Sequence, residues 1–137
     1  MGKDKMKITA DTTVLVRAAV QDNPDQARQA AKLLQQAELV AVPVPVLCKF
    51  VWALRRGYKK SVAEISDAIR RLMKSANVVM NRPAVEAGLA VLDAGGDFAD
   101  GAIAYEGNWL GAEEYASFDS NTVSVLRSQG VRARLLS

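Results

Sequence analysis

Short strand-like hydrophobic runs alternate along the chain with segments whose apolar residues recur at helical spacing. The pattern predicts strands at 7–10, 38–42, 77–80, 114–118 and 131–136. It predicts helices at 12–20, 24–37, 46–56, 61–74, 82–94, 97–110 and 121–129. Strands that alternate with helices favour a parallel sheet covered on both faces. We therefore expect an α/β fold, a three-layer α/β/α sandwich with a mainly parallel central sheet.

Capping and breaking residues support several of these boundaries. Asp11 stands directly before the first helix as a cap, and Pro24 suits the first turn of the second. Ser61 and Glu64 have the spacing of a capping box for the fourth helix. Gly57 and Gly130 follow predicted helices, where a glycine commonly ends them.

The length of 137 residues suits one domain with a proper hydrophobic core. A second methionine, Met6, directly precedes the first strand. We expect Met1–Lys5 to be an N-terminal extension and residues 6–137 to form a single domain. No apolar run approaches the roughly 20 residues that cross a bilayer, and no long apolar signal segment follows the N-terminus. We therefore expect no membrane association.

The residue types exclude several kinds of chemistry. The chain has no histidine and a single cysteine, which rules out imidazole catalysis, an intrachain disulfide and a cysteine zinc site. A bound metal would need oxygen ligands, and a cytoplasmic location is expected. The net charge of +3 permits an anionic partner such as RNA without requiring one.

Four carboxylates lie where a ligand site would form in such a sheet. Asp11 and Asp119 end predicted strands, and Asp97 and Asp100 share one face at the start of a helix. Clustered carboxylates repel one another unless a cation joins them, and Mg²⁺ or Mn²⁺ prefers such oxygen ligands. Each of Asp11, Asp97 and Asp119 could equally be a helix cap. Asp100, inside the helical pattern beside an apolar run, is the hardest to explain in that way.

Four segments in this order resemble the PIN domain, specifically the VapC-type toxins of type II toxin–antitoxin systems. They are ADTTVLVRA around Asp11, VPVPVLCKFVWAL, GGDFADGAIA around Asp97 and Asp100, and ASFDSNTVSVLRSQGVRARLL. The resemblance spans about Met6 to Leu136. It implies a Mg²⁺- or Mn²⁺-dependent endoribonuclease that cleaves RNA phosphodiesters, forms a homodimer and is neutralised by a cognate antitoxin.

The resemblance also implies roles for individual residues. Asp11, Asp100 and Asp119 match the catalytic acids, and together with Asp97 they would bind the metal. Thr12 and Ser117 match positions where a hydroxyl often supports the site.

Lys49 departs from the family pattern, which has a glutamate at this place in the apolar third helix. A lysine there removes an oxygen ligand and changes the local charge by two units. It could extend along apolar neighbours to reach water, or it could act as an internal cation among the carboxylates. We expect the second arrangement, which would reduce or abolish activity in this chain.

Basic and aromatic residues could guide RNA toward such a site. Arg55, Arg56, Lys59 and Lys60 follow the third helix, and a solvated basic surface is the simpler interpretation of them. Trp52 and Trp109 could stack on bases. For Trp52, which lies on an apolar helix, a place in the core or in a dimer interface is the stronger expectation.

Two other functions fit parts of the pattern. A PIN fold with a disabled catalytic site could be a binding protein, which binds its antitoxin and acts in regulation rather than in RNA cleavage. A phospho-acceptor pocket on a flavodoxin-like sheet would need paired acids at the first strand and a lysine after a late strand. Asp11 stands alone and no such lysine follows Asp119, which counts against that function.

Overall fold

The computed structural model describes residues 6–137, and the predicted extension Met1–Lys5 lies outside the described residues. The chain forms two compact units, one ending at Met80 and the other spanning Asn81–Ser137. The single domain expected over residues 6–137 stays a prediction. Within the described residues, no helix is both long and apolar enough to cross a bilayer.

Residues 6–80, the described part of the first unit, contain three strands and four α-helices. These are β1 (Lys7–Thr9), α1 (Thr12–Val20), α2 (Pro24–Gln36), β2 (Leu39–Ala41), α3 (Val44–Trp52), α4 (Val62–Lys74) and β3 (Val78–Val79), with a π-helical turn, Ala53–Gly57, after α3. The strands form a parallel sheet in the order β1-β2-β3. Ile8 pairs with Val40 and Val40 with Val78 in register. The fully buried side chains of this unit include Leu15, Val40, Val42, Leu47, Phe50, Ile65 and Ile69.

The second unit contains three helices and a small parallel sheet. These are α5 (Arg82–Asp93), α6 (Phe98–Trp109), β4 (Tyr115–Ser117), α7 (Ser120–Ser128) and β5 (Ala133–Leu135). Its core combines Val91, Val123, Leu126 and Ala133, with Tyr115 packed against it. The predicted α/β class and the parallel strand pairing are confirmed.

Glycine allows α5 and α6 to approach each other closely. A Cβ at Gly101 would overlap the carbonyl oxygen of Ala87 and lie 2.9 Å from the Cα of Gly88. The two helix backbones therefore pack together where Gly101 begins the apolar part of α6. Asp100 directly precedes this close contact in the sequence.

The third helix differs from its prediction at both ends. It begins at Val44 rather than at 46, with Pro45 inside its first turn. Proline is tolerated there because the first N–H groups of a helix have no intrahelical acceptor. After Trp52 the backbone widens into the π-helical turn, and the Tyr58 N–H donates to the Ala53 carbonyl at 3.2 Å.

Candidate functional site

Asp11 follows β1 and caps α1, as the sequence predicted. Its Oδ2 accepts hydrogen bonds from the hydroxyl of Thr13 at 2.7 Å and from the Thr13 N–H at 3.4 Å. These bonds, the hydroxyl first, lower the pKa of the exposed Asp11 carboxyl, and the positive charge of Lys49 lowers it further. Asp11 is therefore an ionised carboxylate at neutral pH.

Thr12, one of the predicted supporting hydroxyls, links two helices. Its Oγ1 donates to the Val46 carbonyl at 3.4 Å, which joins the start of α1 to the first turn of α3. Lys49 follows Val46 by one turn on α3. The same packing that holds Thr12 therefore brings Lys49 within electrostatic reach of Asp11.

Lys49 is solvent-exposed. Within residues 6–80 its ammonium makes no hydrogen bond or ion pair, although its charge contributes to the lowered pKa of Asp11. The side chain thus reaches water, as the first of the two sequence-based alternatives requires, and it also adds a positive potential at Asp11. A free ammonium near a candidate ligand would repel a divalent cation by an ordinary Coulomb interaction.

Asp100 occupies the first turn of α6 and is half-buried. The Tyr115 hydroxyl donates to its Oδ1 at 3.0 Å, and the Thr122 hydroxyl donates to its Oδ2 at 3.3 Å. Burial raises the pKa of Asp100, the two hydrogen bonds oppose that rise, and the charges of Asp97 and Asp119 add to it. Both oxygens of the Asp100 carboxylate are therefore held by hydroxyl groups.

Asp97 and Asp119 are helix caps, as the alternative interpretation had it. Asp97 accepts from the Ala99 N–H at 3.1 Å, and Asp119 accepts from the N–H groups of Asn121 and Thr122 at 2.9 and 3.1 Å. In both residues only Oδ1 is used, so Oδ2 has no hydrogen-bond donor within residues 81–137. Capping therefore leaves an oxygen of each residue available to a ligand.

Two of the predicted acids of the second unit, Asp97 and Asp119, lie within electrostatic reach of the third, Asp100. The charges of Asp97 and Asp119 both raise the pKa of Asp100. Ser117, the other predicted supporting hydroxyl, accepts from the Asp119 N–H at 3.0 Å and so orders the turn before α7. Asp97 and Asp119 thus act electrostatically on Asp100 within this unit, whereas Asp11 and Lys49 belong to the first unit.

The donor chemistry of these acids suits a hard divalent cation, because every candidate ligand is a carboxylate oxygen. Over the described part of the chain, however, no three carboxylate or thiol groups gather as they would around a bound metal ion. The metal expected from the sequence stays a proposal.

Tyr115 and Thr122 are contacts of Asp100 that the sequence reasoning missed. Tyr115 and Ser117 are two residues apart in β4, so their hydroxyl groups lie on the same face of this short strand, just before Asp119. Thr122 is the third residue after that aspartate, in the first turn of α7. The closeness of both hydroxyl residues to Asp119 in the sequence is the signal that could have identified them.

The predicted RNA-binding residues lie in the π-helical turn and in the segment directly after it. Arg55 and Arg56 lie inside it, and Lys59 and Lys60 follow it, with Lys59 in a left-handed conformation at φ 52°. None of the four forms an ion pair with another residue in the range 6–80, and all except the partly buried Lys60 are exposed. They are available to an anionic partner.

Both tryptophans are largely exposed, Trp52 by 64% and Trp109 by 76%. Of the two positions expected for Trp52, the core is wrong, and a dimer interface stays a prediction. Trp52 is the last residue of α3, and its side chain is exposed to solvent. The preceding apolar residues Phe50 and Val51 are buried.

Comparison with known protein families found no match to this chain. Comparison with curated proteins also found none.

Proposed function

We propose that this chain is a Mg²⁺- or Mn²⁺-dependent endoribonuclease, the toxin of a type II toxin–antitoxin system, whose activity is reduced or abolished by Lys49. The observation that carries the proposal is Asp100. A half-buried carboxylate with a raised pKa and two further carboxylates nearby is unusual for a residue with a purely structural role. Such groups concentrate at functional sites.

The proposed ligands are Asp11, Asp97, Asp100 and Asp119, which offer only oxygen donors. A divalent cation, when bound, would act as a Lewis acid on the phosphodiester and activate water. Asp11, with its lowered pKa, stays ionised and can bind a cation at neutral pH. Asp100, held by hydrogen bonds at both carboxylate oxygens, would bind the same cation with its remaining lone pairs.

The substrate proposal depends on charge and on exposed rings. Arg55, Arg56, Lys59 and Lys60 would contact phosphates, a contribution that weakens with added salt. Trp109 is exposed enough to stack on a base. These features favour a single-stranded RNA segment over a small-molecule substrate.

The finer fold and the partners belong to the same proposal. We propose a PIN-like three-layer α/β/α arrangement, a homodimer in the cytoplasm, and a cognate antitoxin as the protein partner. Exposed Trp52 is a candidate for the dimer interface, because large exposed aromatic rings are enriched in interfaces.

The decisive test compares RNA cleavage by the natural chain and by Lys49→Glu in Mn²⁺ and in EDTA. We expect Lys49→Glu to restore metal-dependent cleavage, because it removes a positive charge near Asp11 and supplies an oxygen donor. Lys32→Glu, an exposed position on α2, makes the same change of charge and should not restore it. Equal activity of the natural chain and Lys49→Glu would refute the role given to Lys49.

A second candidate function is a catalytically inactive PIN-fold protein that acts by binding its antitoxin and by regulation. It is favoured by the free ammonium of Lys49 and by the lack of a ready metal cluster within residues 6–137. Mn²⁺ should then leave the melting temperature unchanged in the natural chain and in Lys49→Glu, whereas a cation bound to the folded state would raise it.

A further inference from the structure

Two hydroxyl groups from different secondary-structure elements converge on Asp100. Tyr115 reaches it from β4 and Thr122 from α7, and they donate to different oxygens of the carboxylate, at 3.0 and 3.3 Å. A carboxylate bonded at one oxygen can still rotate about its terminal torsion. Donors at both oxygens fix the plane of the group.

Both donors are themselves held in place. Tyr115 donates its N–H to the Arg132 carbonyl at 2.9 Å, lies opposite Ala133 in the β4–β5 pair, and packs against the core of the second unit. Thr122 donates its N–H to Oδ1 of Asp119 at 3.1 Å while its hydroxyl bonds to Asp100. The direction of the Asp100 carboxylate is therefore set by the sheet and by the cap of α7.

Binding capacity remains after both bonds are made. Each carboxylate oxygen has two lone-pair positions, and the hydroxyl groups occupy one on each oxygen. The free positions share the plane that the two donors fix. In metalloproteins, hydrogen bonds that orient ligating side chains strengthen metal binding in this way.

We propose that Tyr115 and Thr122 are positioning residues, which orient the Asp100 carboxylate to bind the divalent cation. This inference rests on the proposed function. Tyr115 and Thr122 do not touch the cation or the RNA; they act through Asp100. Thr122 also couples Asp100 to Asp119, since its backbone binds one carboxylate and its side chain the other.

The test uses the full-length chain carrying Lys49→Glu, so that the positive charge near Asp11 does not mask metal binding. Tyr115→Phe and Thr122→Val are added singly and together, because each removes one hydroxyl and keeps the shape of the side chain. Tyr105→Phe is the matched control, since Tyr105 is also partly buried but makes no hydrogen bond within residues 81–137. Mn²⁺ affinity is measured by electron paramagnetic resonance, and thermal stability is measured in EDTA.

We expect Tyr115→Phe and Thr122→Val each to weaken Mn²⁺ binding by roughly 10- to 100-fold, the usual effect of losing such an orienting bond. Tyr105→Phe should leave the affinity unchanged. The Mn²⁺ concentration needed for half-maximal RNA cleavage should rise in Tyr115→Phe and Thr122→Val and stay unchanged in Tyr105→Phe. A purely structural role would lower stability in EDTA and leave the Mn²⁺ affinity of the folded protein unaltered.

Two results would overturn the inference, and they have different consequences for the proposed function. If Lys49→Glu binds Mn²⁺ and the added Tyr115→Phe and Thr122→Val do not weaken it, the positioning role is wrong and the proposed function stands. If Lys49→Glu itself binds no Mn²⁺, the proposed metal-dependent function fails and the positioning role fails with it.

Discussion

The hydroxyl of Tyr115 donates a hydrogen bond to Oδ1 of Asp100 at 3.0 Å across 15 residues of sequence. The bond joins the central part of the second unit to the carboxylate whose pKa burial raises. It also raises the pKa of Tyr115, to about 12, together with burial, the larger cause. Proton binding by each group therefore depends on the other.

Asp100→Asn should stabilise the protein at neutral pH and have little effect in acid. The folded-state pKa of Asp100 lies above the ordinary 3.8, so the folded state binds a proton more tightly than the unfolded state. Stability from this group is present below pH 3.8 and is lost as the pH rises through the folded-state value. Thermal unfolding should show a difference in stability between Asp100→Asn and the unsubstituted chain, and this difference should grow as the pH rises toward neutral. Glu106→Gln, an exposed change on the same helix, is the control for removing one negative charge. A pH-independent difference for Asp100→Asn would contradict the raised pKa.

Ionisation of Tyr115 should destabilise the fold at high pH. Its pKa rises from 10.0 to about 12 in the folded protein, so its contribution to stability is present below pH 10 and is lost as the pH rises through about 12. Tyrosinate absorbance, compared between the natural chain and Tyr115→Phe, isolates this residue. Asp100→Asn should lower the pKa of Tyr115, because it removes the carboxylate charge beside the hydroxyl. An unchanged pKa of Tyr115 would mean that Asp100 does not contribute to it.

Ser61→Ala should cost about 1 kcal/mol of stability, a typical loss for a helix cap. The Ser61 hydroxyl accepts from the Glu64 N–H at 3.1 Å, and the Glu64 carboxylate accepts from the Ser61 N–H at 2.9 Å. Urea denaturation measures the loss. Ser124→Ala, at an exposed position inside α7, removes the same group without a cap and serves as the control. Equal losses in the two variants would show that the cap adds nothing.

Gly101→Ala should lower stability by about 1–3 kcal/mol, the usual cost of overpacking. The new methyl group would overlap the Ala87 carbonyl and force α5 and α6 apart. Gly107→Ala lies on the same helix with no atom near the added Cβ, so it should be neutral or stabilising because alanine favours helices. Urea denaturation of both variants tests the close contact. Similar stability changes would argue against it.

Arg55→Ala combined with Arg56→Ala should weaken binding of a fluorescent single-stranded RNA and reduce its salt dependence. Each lost phosphate contact lowers the slope of log affinity against log salt by about 0.7. Arg28→Ala combined with Lys32→Ala removes the same charge from exposed positions of α2. Fluorescence anisotropy at several salt concentrations separates the two pairs. The same slope for both would indicate general attraction rather than a binding surface at the π-helical turn.

The sequence by itself determined the order of strands and helices and most of the capping. Asp11, Asp97 and Asp119 precede helices, and each accepts an N–H within three residues, so neighbours in the sequence are sufficient to predict these bonds. The same local character made Ser61 and Glu64 recognisable as a capping box. Strand alternation with helices predicted the parallel pairing, because parallel neighbours require a crossover segment between them.

Only the tertiary structure decided which side chains meet. Tyr115 and Thr122 contact Asp100 across 15 and 22 residues, and no local pattern encodes the packing of β4 and α7 that brings them there. The exposure of Trp52 and the solvent-exposed ammonium of Lys49 likewise depend on how α3 is oriented and where it widens after Trp52. A cap needs only neighbours along the chain, whereas a contact between elements depends on side-chain packing throughout a unit.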